Sequence, residues 1–176
     1  MRQGDRNHSK PVNGIGIGRR DVISGFTIVE LLVTIVIIGI LASAAIPMTE
    51  LAFQRSKEQD LRNSLREIRT AIDAYKQAGD DGHIERKMTE SGYPHTLEEL
   101  VNGAIDAKNP KGGKLYFLRR IPRDPFDGDS SMSADKTWGK RSYASSSNEP
   151  KAGEDVYDVY SLALGVGLNS IPYREW

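Results

Sequence analysis

Cysteine is absent from this 176-residue chain. That excludes disulfide staples, thiolate metal sites and cysteine nucleophile chemistry, so an exported domain would have to fold on packing alone. Histidine occurs only at His8, His83 and His95. None stands at ligand spacing from another, and His83 and His95 read as solvated loop residues rather than metal ligands or general bases. Net charge is lacking too: 24 basic residues balance 24 acidic ones, which removes any whole-chain electrostatic argument for nucleic acid.

Charge is scarcest in one stretch. From Phe26 to Ile46 the only polar residues are Thr27, Glu30, Thr34 and Ser43. At about 1.5 Å per residue this run makes a helix of roughly 30 Å, the thickness of a bilayer core. One carboxylate inside such a segment is expensive and calls for a partner. Residues 1–25 hold five basic groups, Arg2, Arg6, Lys10, Arg19 and Arg20, against Asp5 and Asp21. A net +3 before the apolar run, and hence −3 after it, is the positive-inside pattern, with the N-terminus cytoplasmic and the C-terminal part outside.

Three readings compete for this segment. A secretory signal would use Arg19-Arg20 as its basic region and Ala42-Ser43-Ala44 as its cleavage site, releasing a soluble protein, such as an exported enzyme, from Ala45. A plain signal anchor explains the length but not Glu30. Cleavage between Gly25 and Phe26 would remove a glycine-rich leader, residues 1–25, and keep the whole helix. The twin-arginine pair has no strong export motif behind it and reads as an ordinary basic flank.

Beyond Pro47, which lacks a backbone donor and is expected to kink or loosen the helix, helical periodicity resumes. Leu61, Leu65, Ile68, Ile72 and Tyr75 form one apolar stripe. Glu58 and Arg62 stand i,i+4 for mutual support. Residues 55–69 carry five basic and three acidic groups and read as a solvated face, not a nucleic-acid surface. Gly79-Asp80-Asp81-Gly82 ends the helix near Ala78. A short helix is expected at Pro94–Val101, with Thr96 and Glu99 at capping-box spacing. Lys114–Leu118, Trp138–Ser145 and Val156–Leu162 are strand candidates, the last being richest in β-branched and aromatic residues. Pro122 and Pro125 stiffen the intervening connection. Asp124, Asp127 and Asp129 lack EF-hand spacing and read as turn residues. The terminal Trp176 is expected to pack on the domain.

Gly25-Phe26-Thr27-Ile28-Val29-Glu30-Leu31 resembles the class III signal of type IV pilins and type II secretion pseudopilins. The resemblance implies cutting after Gly25 by a prepilin peptidase, which then N-methylates Phe26. It places the family's assembly glutamate at Glu30 and its helix-weakening positions at Gly39 and Pro47. Downstream, TLEELV, LRRIPRDPF, WGKRSY and DVYDVYSLA resemble the major pseudopilin (protein G) family. Lack of cysteine agrees, since many type IV pilins close a C-terminal loop with a disulfide. Two departures stand out. Asp127–Thr137 interrupts the family's proline-rich segment, and the acidic calcium loop of the family is replaced by Leu162–Ser170, which holds no carboxylate.

The resemblance implies an α+β, pilin-like fold: a long N-terminal helix, a short second helix and a small antiparallel sheet of about three strands. The expected layout is leader 1–25, membrane and assembly helix 26–47, amphipathic continuation 48–78 and periplasmic domain 79–176. The implied role is structural and non-catalytic, as a pseudopilus subunit for type II secretion, with a type IV pilin for adhesion, motility or DNA uptake as the neighbouring alternative. Implied partners are the prepilin peptidase/N-methyltransferase, further copies as a helical homopolymer, minor pseudopilins, the inner-membrane assembly platform and the membrane itself, without nucleic acid. No cofactor or metal is expected.

Overall fold

The computed structural model describes residues 25–176, less the side chains of 44–47; the leader reading for residues 1–24 lies outside the described residues. Helix α1 runs Ile28–Asp80, and its helical assignment continues through Gly39 and Pro47. The chain divides into two compact units between Ala44 and Ala45.

In the first unit, the described apolar side chains of α1 are all exposed, from Ile28 to Leu41. The polar ones bond within the helix: Thr34 Oγ1 donates to the Leu31 carbonyl (2.8 Å) and Ser43 Oγ to that of Ile40 (2.7 Å). Nothing within this stretch of a single copy covers it.

The second unit is built on the rest of α1. Leu61, Leu65, Ile68 and Ile72 are buried at the predicted helical spacing, with Tyr75 partly buried at the end of the stripe. Against them pack Leu97 and Leu100 of α2 (Leu97–Asn102), together with Leu118, Trp138, Val156, Val159 and Tyr173. Gly82, at φ 77°, makes the left-handed turn that lets His83 N–H return to the Ala78 carbonyl (2.8 Å) and stops the helix.

The fold class is α+β, as expected, but the strands group differently. In place of one sheet of about three strands there are two separate antiparallel pairs among the described residues. Strand β1 (Ala104–Ile105) pairs with β2 (Lys114–Leu115), and β3 (Trp138–Arg141) pairs with β4 (Asp158–Ser161) in the register Trp138↔Ser161. The physical reason lies between β2 and β3. Phe117 and Leu118 spend their N–H groups on the Leu100 carbonyl (3.0 and 2.9 Å), and the prolines at 122 and 125 offer none, so no ladder can continue.

The capping box at α2 also differs. Thr96 is the N-cap residue, yet its side chain makes no capping bond. Glu99 instead reaches past it to accept from His95 N–H (3.1 Å) and from the Tyr75 hydroxyl (3.3 Å). Burial, then the Glu99 carboxylate, pushes the Tyr75 hydroxyl up to about 12.

Candidate processing segment and C-terminal anchor

The local rule that α2 lacks is met at the start of α1. Thr27 precedes the first helical residue, and its Oγ1 accepts from Glu30 N–H (3.2 Å), while its carbonyl accepts from Leu31 N–H (3.1 Å). Thr27 and Glu30 therefore hold Ncap and N3 positions, a T-x-x-E signal that was available in the sequence. The cap starts the helix two residues after Phe26. It also sets Glu30 in the first turn, where the helix dipole favours a carboxylate.

Glu30 and Phe26 are exposed, and the Glu30 carboxylate has no hydrogen-bond or ion-pair partner among the described residues. Gly25 and Gly39 both face open space: a Cβ built at either meets nothing within 4 Å. The glycine at 39 is thus not demanded by packing within one copy. One described helix, Ile28–Asp80, is long and apolar enough to cross a membrane.

A second set of residues, on α1 and facing the C-terminal segment, was misread from the sequence. Glu58 and Arg62 do not pair. Glu58 is buried at 5% exposure, and its Oε1 accepts from Leu168 N–H (2.8 Å), the Tyr173 hydroxyl (3.1 Å) and Gln54 Nε2 (3.1 Å). Arg62 stacks over the Trp176 ring at 4.4 Å. Two turns further, Arg69 donates to Asp158 (2.7 Å), the Val159 carbonyl (3.0 Å) and the Trp176 carbonyl (2.7 Å). The expected solvated face of residues 55–69 therefore includes three anchors for the last 20 or so residues. The signal missed was position: 58, 62 and 69 flank the buried stripe at 61, 65 and 68, so their heads meet the domain rather than each other.

These contacts bear on the family's calcium loop, which is not expected to carry over to this chain. The loop 162–170 has no carboxylate, and Asn169 Oδ1 already accepts from Ile171 N–H (3.1 Å). Asp158 is held between Arg69 and Arg141 (2.7 and 3.1 Å), and the Glu58 oxygen is engaged by donors. A hard dication needs several free oxygen ligands, and these oxygens already have protein partners.

The acidic 124–129 turn serves the fold. Asp124 is buried, accepting from Ser161 Oγ and Phe126 N–H. Arg123 closes the Asp127–Thr137 insertion by donating to Asp127 (2.8 Å), the Asp129 carbonyl (2.6 Å) and the Met132 carbonyl. The two loop histidines are also engaged. His83 Nδ1 meets Asp106 at 2.8 Å, and His95 Nδ1 meets the Glu154 carbonyl at 2.8 Å. Burial opposes ionisation of Asp155, but hydrogen bonds from Ser142 Oγ, Ser91 Oγ and Tyr143 N–H prevail and hold its carboxyl below the usual range.

Residues 22–46 match the model of the prokaryotic N-terminal methylation motif. The chain is 30% identical over 139 residues to the type II secretion system core protein G of Aeromonas hydrophila, a match covering 75% of this chain and 87% of that relative. The protein of the same name from Klebsiella michiganensis is 28% identical over 141 residues, 78% of this chain and 92% of the relative. That from Pseudomonas aeruginosa is 31% identical over 107 residues, 58% and 68%. No solved structure gives a match.

Proposed function

The chain belongs to the type II secretion system core protein G family, and from that premise we propose how its parts serve a secretion filament. It is a structural subunit of a type II secretion pseudopilus, assembled from the inner membrane to help drive folded proteins across the outer membrane. The observation that carries the reading is the continuity of a methylation motif at 22–46 with a body that matches a core pseudopilin over most of both lengths. Its role is mechanical rather than catalytic.

In this reading the prepilin peptidase cuts between Gly25 and Phe26 and methylates the new amino group of Phe26. The subunit waits in the inner membrane as a single span with a cytoplasmic N-terminus and a periplasmic domain. There Glu30 sits unpaired in the apolar layer, at a cost of about 3 kcal/mol. In a bundle it meets the Phe26 ammonium of a neighbouring copy, and each neutralises the other in low dielectric. Assembly is thus favoured over staying alone in lipid, and Glu30 sets the stagger between copies. Gly39 and Pro47 are the positions at which the helix loosens as copies pack. Assembly proceeds on the inner-membrane platform beneath a tip of minor pseudopilins, and the product is a helical homopolymer. The domain holds its C-terminal loop without calcium, through Glu58 and Arg69.

Glu30→Ala tests the assignment. Mass spectrometry should find the variant cleaved and N-methylated at Phe26, as in the parent. Cross-linking and electron microscopy should find filaments lost. Normal filaments from Glu30→Ala would remove the assembly role, and a mature N-terminus at Ala45 would remove the processing site.

A further inference from the structure

Cations are unevenly placed in the unit Ala45–Trp176. The chain as a whole is neutral, yet residues 107–123 hold six basic groups, Lys108, Lys111, Lys114, Arg119, Arg120 and Arg123, and no acidic one. Arg123 is spent within the fold, donating to Asp127. The other five are exposed, and of these only the Lys114 side chain has a partner among the described residues, the Asn102 carbonyl (3.2 Å). A block of one charge without counterions of its own points to an interaction surface.

A groove of about 520 Å³ lies where this stretch meets α1. One side is fixed by the Phe117 and Leu118 N–H groups on the Leu100 carbonyl and by the Phe117 ring, which stands edge-on to Tyr75 at 5.3 Å. Leu118 is buried beneath it, and the helix offers only the small side chains of Ala71 and Ala74 opposite, so the trough stays open and apolar. Arg66 of α1 and Arg119 line it from the two sides, both exposed and both without a hydrogen-bond or ion-pair partner among the described residues. Glu67 is the one carboxylate in the lining. An apolar trough between two arginines has the make-up of a protein interface rather than of a solvated face.

Charge and shape together select the occupant. A guanidinium matches a planar carboxylate through two parallel hydrogen bonds, and the trough takes an apolar side chain, which a phosphodiester backbone lacks. In another copy of this chain many of the clustered carboxylates are already engaged: Asp80 by Lys76 and Arg86, Asp127 by Arg123, Asp135 by Lys140, and Asp158 by Arg69 and Arg141. We propose that the groove binds an extended acidic segment of a different protein, with its carboxylates on Arg66 and Arg119 and an apolar side chain seated on Ala74 and Phe117. The hairpin between β1 and β2 is closed by Asp106 N–H on the Gly113 carbonyl (2.9 Å), and Lys108 and Lys111 at its tip steer the approach. Nothing in this assignment depends on the apolar half of α1.

The probe is a fluorescein-labelled peptide, Glu-Asp-Leu-Glu-Phe-Glu-Asp-Leu-Glu, offered to the full-length protein in non-ionic detergent and read by fluorescence anisotropy. Arg66→Glu with Arg119→Glu should weaken binding roughly tenfold. Lys87→Glu with Lys136→Glu, an equal charge change at exposed sites outside the groove, should weaken it less than about twofold. Ala74→Phe fills the trough without touching charge; it should cost this peptide several-fold in affinity and leave an all-glutamate peptide unaffected. Lys108→Glu with Lys111→Glu should slow association and spare dissociation. Circular dichroism melts identify the variants that keep the parent's fold. No binding by the parent at about 0.05 M salt, equal losses from the two charge-matched pairs, or no loss from Ala74→Phe overturns the proposal. An oligonucleotide of equal charge that displaces the peptide at matching concentration assigns the groove to nucleic acid. Sedimentation in which Arg66→Glu with Arg119→Glu disperses oligomers of the parent assigns it to a second copy, and either of these results also overturns the proposal.

Discussion

Leu31 and Leu61 stand 30 positions apart on one helix and meet opposite fates. Leu31 is 56% exposed and Leu61 is 0% exposed. The first belongs to a stretch that is apolar on every face; the second belongs to a single stripe at spacings of four and three, with charge on either side. A stripe can be satisfied by one domain, and α2, β3 and β4 satisfy it. The all-round apolar surface of 28–41 is left exposed among the described residues, and the proposed function assigns its cover to lipid and to other copies. The two halves should therefore answer mutation through different observables.

The strongest way to sharpen that contrast is a matched pair of truncations. Ile68→Ala should cost about 3 kcal/mol, from lost burial and the cavity left behind. For a domain of this size that lowers Tm by on the order of 10 °C. Ile37→Ala, on the uncovered half, should leave Tm unmoved in detergent and act only on assembly. Circular dichroism melts of the full chain decide it, and equal shifts from both variants would erase the distinction.

A smaller effect is expected at Glu58, where the domain's own polar interior is at stake. Glu58→Ala strands the Tyr173 hydroxyl and the Leu168 N–H beneath the loop and should cost about 2 kcal/mol. Glu58→Gln keeps an acceptor oxygen and should cost about half as much. A calcium chelator should shift the Tm of neither parent nor variant. A melting temperature that falls on chelation would overturn the proposal that the loop is anchored without metal.

Which of these features the sequence displayed follows from the range over which each acts. The stripe at 61, 65, 68 and 72 is a repeat along one helix, and so was plain. The segment Gly25, Phe26, Glu30 was equally plain, being seven consecutive residues; the match over 22–46 falls on them. Strand pairing was not, because two-residue strands such as Ala104–Ile105 carry no alternation to read. Glu58, Arg62 and Arg69 were hidden for another reason. Their i,i+4 and heptad-like spacings are those of surface pairs, whereas their partners lie some 90 to 115 positions away. The Thr96 cap shows the converse: the motif was present, but Tyr75 and His95 competed for Glu99 and took its carboxylate elsewhere.

The smallest effect is a dependence on pH confined to the domain. His95 gains most from its bond to the Glu154 carbonyl, then from the carboxylates of Glu99, Glu90 and Asp155, while partial burial opposes protonation. The net result raises its pKa above the ordinary value of 6.5. A raised folded-state pKa means the folded protein holds this proton more tightly than the unfolded chain does. The stabilisation is therefore complete below the unfolded value and lost as pH rises through the folded one. His95 is largely exposed, so solvent screening keeps the contribution small. Between about pH 5.5 and about pH 8, the parent should lose slightly more Tm than His95→Gln, whose amide does not titrate. Ile37→Ala should retain the parent's slope, because the uncovered half of α1 has no part in this proton equilibrium. Parallel curves for the parent and His95→Gln would show that the Glu154 carbonyl bond does not discriminate between the two protonation states.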